Sequence, residues 1–296
     1  MQPDPGNDRG DRGDRGDRGE QNDLRDRREG ERRGDGGERR TPGGRQVRIA
    51  AVGDVHVEES RRGQLFDVLG GIAGKADFLC LCGDLTYSGK LDQARALVEE
   101  LSGVEVPMVA VLGNHDHEAG MEAEIAQALK EAGVHFLDGE GIVLDGIGFV
   151  GTKGFVGGFG KRSLAPFGEK ALKLFVQLAI DEALRLENAL RNLHTETKVA
   201  VLHYSPIAET VLGEPEEIYP FLGSSRYLPP LEMHGTSVIF HGHAHRGTLE
   251  GHTPAGIPVY NVALPLLREH GMTLRLWSCN APERRGAREP SRSDAA

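Results

Sequence analysis

From Val47 onward the chain alternates short apolar runs with amphipathic stretches, a pattern that predicts the strand and helix layers of an α/β fold. Strands are expected at 47–53, 77–82 and 107–112, and helices at about 60–73, 90–102 and 118–132. The middle changes to short β-like pieces at 134–137, 141–145 and 147–151, with Asp145-Gly146 suited to a tight hairpin turn. Gly154 to Pro166, rich in glycine, reads as a loop. Leu172, Phe175, Val176, Ala179, Ala183, Leu186 and Leu190 recur at three- and four-residue steps, predicting a long helix over about 168–194. Further strands are expected at 198–203, 236–241, 246–250, 257–261 and 271–277, with a Pro-rich insertion at about 206–234.

The two ends do not share this pattern. Between Asp8 and Gly19 the triplet Asp-Arg-Gly repeats without interruption, inside a longer Arg/Asp/Glu/Gly stretch, so residues 1–46 are expected to form a disordered arm. One domain is expected over 47–278, and a flexible tail over 279–296. The arm carries twelve arginines against twelve acidic residues, so the formal net charge of -10 falls on the remainder. An acidic body argues against a long polyanion such as nucleic acid, although bound metal ions can create a positive site within it. The arm's Arg-Gly steps do not change this, because alternating Asp cancels the charge that RNA contact needs.

Of the three cysteines, Cys80 and Cys82 lie two apart in an apolar run and read as buried free thiols. The start lacks the apolar stretch of a signal peptide, and no run of roughly eighteen apolar residues occurs, so a soluble cytoplasmic protein without membrane contact is expected. Its oligomeric state is left open.

The chemistry gathers where strands end. The expected strands run out into Val-Gly-Asp-Val-His at 52–56, Cys-Gly-Asp at 82–84, Leu-Gly-Asn-His-Asp at 112–116, Leu-His-Tyr-Ser at 202–205 and Phe-His-Gly-His-Ala-His at 240–245. Each fragment alone is a common turn or cap, but α/β sheets place their sites beyond the carboxyl ends of strands, and five such ends converge on Asp, Asn and His. Imidazoles beside carboxylates suit Mn, Fe, Zn or Ni better than Ca or Mg.

These motifs, Asp54-Val55-His56, Gly83-Asp84, Gly113-Asn114-His115-Asp116, His203 and Gly242-His243-Ala244-His245, resemble those of the calcineurin-like metallophosphoesterases, in the same order over about residues 47–265. The resemblance implies a four-layer αββα sandwich of two mixed sheets flanked by helices. It also implies two divalent metal ions. One would be held by Asp54, His56 and His245, the other by Asn114, His203 and His243, with Asp84 bridging. His115 would protonate the leaving oxygen, with Asp116 orienting its ring.

The implied reaction is hydrolysis of a phosphate ester by a metal-bridging hydroxide. Two ions bring four positive charges, of which Asp54, Asp84 and the hydroxide cancel three, so a net positive site faces the phosphoryl group. A small phosphodiester is the expected substrate, by resemblance to bacterial cyclic-nucleotide phosphodiesterases of the superfamily. Phosphomonoesters or phosphoproteins are the alternative, and a non-catalytic scaffold on the same fold is a third reading. A nuclease would need a basic groove, which the acidic body argues against. Lys161, Arg162 and Arg226, in the two loop-rich insertions, are candidate substrate contacts. His117 and His241 flank the motifs and are read as supporting histidines rather than ligands.

Overall fold

A computed structural model describes residues 45–281. The arm expected over 1–46 therefore lies outside the described residues except for Arg45 and Gln46, which begin a strand, and the tail does so beyond Ala281.

The first half follows the predicted alternation: β1 (Arg45–Val52), β2 (Phe78–Cys82), α2 (Leu91–Leu101), β3 (Met108–Val111), α3 (Glu122–Glu131) and β4 (His135–Phe136). Where one helix was expected over 60–73 there is only the single-turn α1 (Phe66–Leu69) and a 3-10 turn at 72–74. Gly63 and Gly71 take left-handed φ of 69° and 70°, which interrupts a continuous helix at both ends of that window.

The second half runs β5 (Glu140–Leu144), β6 (Ile147–Thr152), α4 (Lys170–Arg191), β7 (Lys198–Leu202), α5 (Tyr219–Leu222), α6 (Leu228–Met233), β8 (Val238–His241), β9 (Glu250–His252), β10 (Pro258–Asn261), α7 (Leu264–Glu269) and β11 (Arg275–Ala281). The strand expected at 246–250 begins only at Glu250, because Thr248 is tied to the 206–234 insertion through Thr210 and Leu212 carbonyls instead of pairing. The helix α7 was not expected: it is short and carries Pro265 in its first turn. β11 extends past the expected 271–277, with Cys279, Asn280 and Ala281 pairing to Val47, Gln46 and Arg45, so the first residues assigned to the tail belong to a strand.

Two mixed sheets result, ordered β11-β1-β2-β3-β4 and β5-β6-β7-β8-β10-β9. β1, β2, β3 and β4 are mutually parallel, as are β6, β7, β8 and β10, while β11, β5 and β9 join antiparallel. Strand alternation sorts the side chains of the second sheet. Phe149, Val199, Val201, Val238 and Phe240 enter the core between the sheets, where Phe149 meets Phe78 at 5.2 Å. Val150, Ala200, Leu202 and Ile239 face the other way, against Leu186 and Leu190 of α4 and Leu231 of α6. On the far side of the first sheet, α2 and α3 supply Leu97, Leu101, Ile125 and Leu129. The layers are thus helix, sheet, sheet, helix. Buried on both faces, β2 reads as the continuous apolar run Phe-Leu-Cys-Leu-Cys, and Cys80 and Cys82 are free, buried thiols whose pKa values burial raises.

Candidate metal centre

The carboxyl ends of the parallel strands meet where the two sheets adjoin. Gly53 bridges to Ala263 just beyond β10, and Gly242 donates its N–H to the His203 carbonyl at 3.1 Å, so loops from both sheets are laced together. Asp54 N–H donates to Gly83 and His56 N–H to Asp84, at 2.9 and 3.0 Å. These bonds hold an unusual backbone. Asp54, His56, Asp84 and His243 have φ of 55°, 44°, 49° and 71°, and apart from the hairpin residue Asp145 they are the only described non-glycine residues with positive φ. Such conformations cost about 1–3 kcal/mol each and persist where the surroundings over-determine them, commonly at functional sites.

Two motif glycines have a second physical reason. A Cβ on Gly113 would lie 2.1 Å from Oδ1 of Asp84, and one on Gly242 would lie 2.2 Å from Oδ2 of Asp54. Each glycine leaves the space that a candidate ligand carboxylate fills.

The side chains converge in three overlapping groups, one of them His56, Asp84 and His115, and the expected His and Asp ligands fall in the other two. Asp54, His56 and His245 form one, and Asp84, His203 and His243 the other, each with ligand-type atoms within 4.8 Å of one another. Asp84 links them: its Oδ1 lies 3.3 Å from Nε2 of His203, and its Oδ2 lies 3.9 Å from Nε2 of His56. Oδ1 of Asn114 lies 2.8 Å from the same His203 nitrogen. All seven expected ligands are therefore together.

The tautomer of His203 tests whether a cation fits here. Its Nδ1 sits 3.0 Å from the Cys82 carbonyl, which can only accept, so Nδ1 carries the proton and Nε2 presents a lone pair. That lone pair faces two more acceptors, Oδ1 of Asn114 and Oδ1 of Asp84, and a cation placed among the three would satisfy them all. His243 is set likewise: Nε2–H donates to the Phe221 carbonyl at 3.2 Å, leaving Nδ1 unprotonated.

The electrostatics agree. Burial pushes the Asp84 carboxyl up to about 9, helped by the charges of Asp54 and Asp116, so without a cation it keeps its proton at neutral pH. Burial also acts to raise Asp54, but the His245 hydrogen bond, the charges of His203 and His245 and the His243 N–H together hold it well below the usual carboxylate range. Burial lowers His56 to about 4 and depresses His203 and His243, keeping these imidazoles neutral as metal ligation requires. His245 moves up instead, through its 2.9 Å hydrogen bond to Asp54.

His115 stands at the open edge. Its Nδ1–H donates to the Tyr87 carbonyl at 2.7 Å, its backbone N–H donates to Asp84 at 2.8 Å, and Nε2 faces Oδ2 of Asp84 at 3.9 Å. This corrects the expected role of Asp116. Its buried carboxylate accepts from the N–H groups of Gly113, Leu85 and Thr86 and from the Thr86 hydroxyl, at 2.8, 3.1, 2.7 and 2.6 Å. Asp116 ties the loops after β2 and β3 together, and the ring of His115 is oriented by a carbonyl.

Two of the expected substrate contacts lie elsewhere. Arg226 donates to the Leu164 carbonyl at 2.6 Å and lines a separate hollow with Ser163 and Ser225, so it braces the glycine-rich loop. Lys161 is exposed and lines neither of the two depressions that reach the centre, and the side chain of Arg162 lies outside the described residues. His241 donates Nδ1–H to the Gly242 carbonyl and bonds Thr210 through Nε2, a supporting histidine as expected.

Sequence reading missed Tyr87, Thr86, Arg61, Arg62 and Lys153. Tyr87 follows Asp84 by three residues but works through its carbonyl, which no residue identity reveals. The carbonyl of Lys153 accepts from His203 and Tyr204, and its ammonium lies 5.1 and 5.5 Å from the rings of Phe155 and Tyr204.

Two adjoining His/Asp clusters at the ends of parallel strands, linked through Asp84 inside a four-layer sandwich, fit a metal-dependent hydrolase. The family model for calcineurin-like phosphoesterases matches residues 47–247, and the chain belongs to that family. It is a metal-dependent phosphoesterase of a family that generally holds two divalent ions and acts on small phosphoesters. Among solved structures, phosphopantetheinyl hydrolase from Mycobacterium tuberculosis superposes with a TM-score of 0.55 at 13% identity, over 80% of this chain and 97% of its own. A second solved chain gives 0.54 at 14% identity, over 79% of this chain and 99% of its own. Both likenesses bear on the fold. No curated protein matches the sequence. Among the described residues, no helix is long and apolar enough to cross a membrane.

Proposed function

We propose that the protein hydrolyses a small phosphodiester at this centre. Asp54, His56 and His245 would hold one divalent ion, Asn114, His203 and His243 the other, and Asp84 both. Two ions bound there would supply an acidified water and would neutralise charge on the phosphoryl oxygens. Their donor set of imidazole, carboxylate and amide oxygen favours Mn, Fe, Zn or Ni.

The remaining steps belong to the chain. The Cys82 and Phe221 carbonyls fix the rings of His203 and His243, so their lone pairs point inward before any ion arrives. The Tyr87 carbonyl keeps the proton of neutral His115 on Nδ1, so to act as an acid His115 must be doubly protonated and then give the Nε2 proton to the leaving oxygen. Asp116 serves as a positioning residue, holding the Asp84 and Asn114 loops in register.

The observation that carries the diester reading is the presence of two depressions that both have His245 in their walls. One, of about 760 Å³, contains His56, Tyr87 and His115; the other, of about 540 Å³, contains Tyr204, Phe221 and His243. A phosphorus atom at the centre has room for a substituent on each side, as a diester requires and a monoester does not. The test is initial rates with Mn²⁺ for bis(p-nitrophenyl) phosphate and p-nitrophenyl phosphate, with Asn114→Ala as control. Faster diester hydrolysis, abolished in the control, supports the proposal; a preference for the monoester overturns it.

A further inference from the structure

We infer that the leaving alcohol of the substrate carries its own anionic group, recognised by Arg61 and Arg62; this deepens and rests on the phosphodiester reading. The argument starts from His115. With Nδ1 held by the Tyr87 carbonyl, the ring presents its Nε2 edge, beside Asp84, to a leaving oxygen. His115 lines the larger groove and not the smaller hollow, so the group that departs does so into the larger groove.

The two depressions differ in chemistry. The smaller one is walled by Tyr204, Phe221, Leu222 and Ile218, with one arginine, Arg246, whose backbone N–H donates to Glu214 at 2.7 Å. The larger is lined by three arginines, Arg61, Arg62 and Arg268, in a chain whose folded part is acidic.

Arg61 and Arg62 are also delivered from a braced loop. Glu100 accepts from the N–H groups of Gly63, Gln64 and Leu65 at 2.6, 3.2 and 3.2 Å. Gln64 accepts from Glu58 N–H and donates to the carbonyls of Glu58 and Arg61 at 3.1, 2.7 and 3.0 Å. Two adjacent guanidiniums are thus presented at the rim of the catalytic groove, with side chains 67% and 71% exposed. Their partners are Glu58, at 3.5 Å from Arg61, and Glu99, paired with Arg62. Exposed pairs of this kind are weak, so either guanidinium can exchange its carboxylate for a substrate oxyanion, which it can bind bidentately. Arg268 is held by Asp67 at 3.0 and 3.2 Å, a paired charge at the groove's other wall.

The test compares methyl p-nitrophenyl phosphate with and without a carboxylate on the nitrophenyl ring, in the full chain with Mn²⁺. Arg61→Ala and Arg62→Ala are expected to lower kcat/KM for the carboxylated ester about tenfold each while leaving the plain ester unchanged. Equal loss on both esters, or none on either, overturns the inference. The wild-type rate on the plain ester reads the phosphodiesterase proposal separately. If that rate is zero, calorimetric binding of the carboxylated nitrophenol decides: binding lost in both variants supports the arginine site, and binding unchanged overturns it.

Discussion

The two halves of the centre are built from the same residue types and differ in how tightly the protein holds them. On one half His203 is fully buried and His243 partly so, and both are locked by backbone carbonyls. On the other, His56 and His245 keep 19% and 39% of their side chains in solvent, and His245 is fixed only by Asp54. One half is ordered before any ion arrives, because its second ring nitrogens are already bonded. The open half faces the larger groove. A half that is buried and oriented should hold its ion more tightly, and one that is exposed should exchange it more readily.

Four changes would break or sharpen that contrast. The largest effect is expected from His203→Ala, which removes the ligand around which Asn114 and Asp84 converge: about a thousandfold loss of turnover, with bound metal falling from two ions per chain toward one. Retention of two ions would refute the distinction between the halves.

Asp84→Asn acts on both halves and has a pH signature. In the metal-free protein the carboxyl is raised to about 9 from an ordinary value near 4, so its ionisation weakens the fold progressively as pH climbs through that window. The asparagine cannot ionise, so at pH 7 metal-free Asp84→Asn should be more stable than the metal-free parent, on the order of 3 kcal/mol, while hydrolysis is lost. Chemical denaturation at pH 5, 7 and 9 with chelator measures it, and parallel curves for the two proteins would contradict the assignment. In the parent, Mn²⁺ binding at pH 7 should release about one proton, seen as buffer-dependent calorimetric heat.

Gly242→Ala should weaken the open half more than the buried one. A Cβ there meets the Asp54 carboxylate and displaces it, so metal affinity at the open half should fall roughly 10–100-fold, read as one of two ions becoming chelator-labile. The smallest effect is expected from Thr86→Val. It removes one 2.6 Å hydrogen bond to Asp116 beneath the buried half, lowering stability by about 1–2 kcal/mol and turnover a few-fold. A change at Thr86 larger than that at Gly242 would reverse the ranking.

Most elements were legible in the chain because burial imposes period: Leu172 to Leu190 on a helix, the unbroken Phe78 to Cys82 on a strand covered on both faces. The failures have local causes. Gly63 and Gly71 cut a helix that hydrophobic spacing alone would allow, α7 is too short to show a period, and the expected strand at 271–277 runs on to Ala281 because Arg45–Val52 offered it an edge.

For the site, the amino-acid sequence determined the types and order of the candidate ligands and the glycines between them, since those atoms suit a metal and the carboxylates demand that space. It could not reveal that Asp116 spends its carboxylate on four loop donors, or that a Tyr87 carbonyl aims His115. Nor could it show that Arg226 braces a loop while Arg61 and Arg62 line the groove. Backbone carbonyls and N–H groups carry no residue label, and which cationic side chains share a groove depends on contacts between segments far apart in the chain, which only the tertiary structure decides.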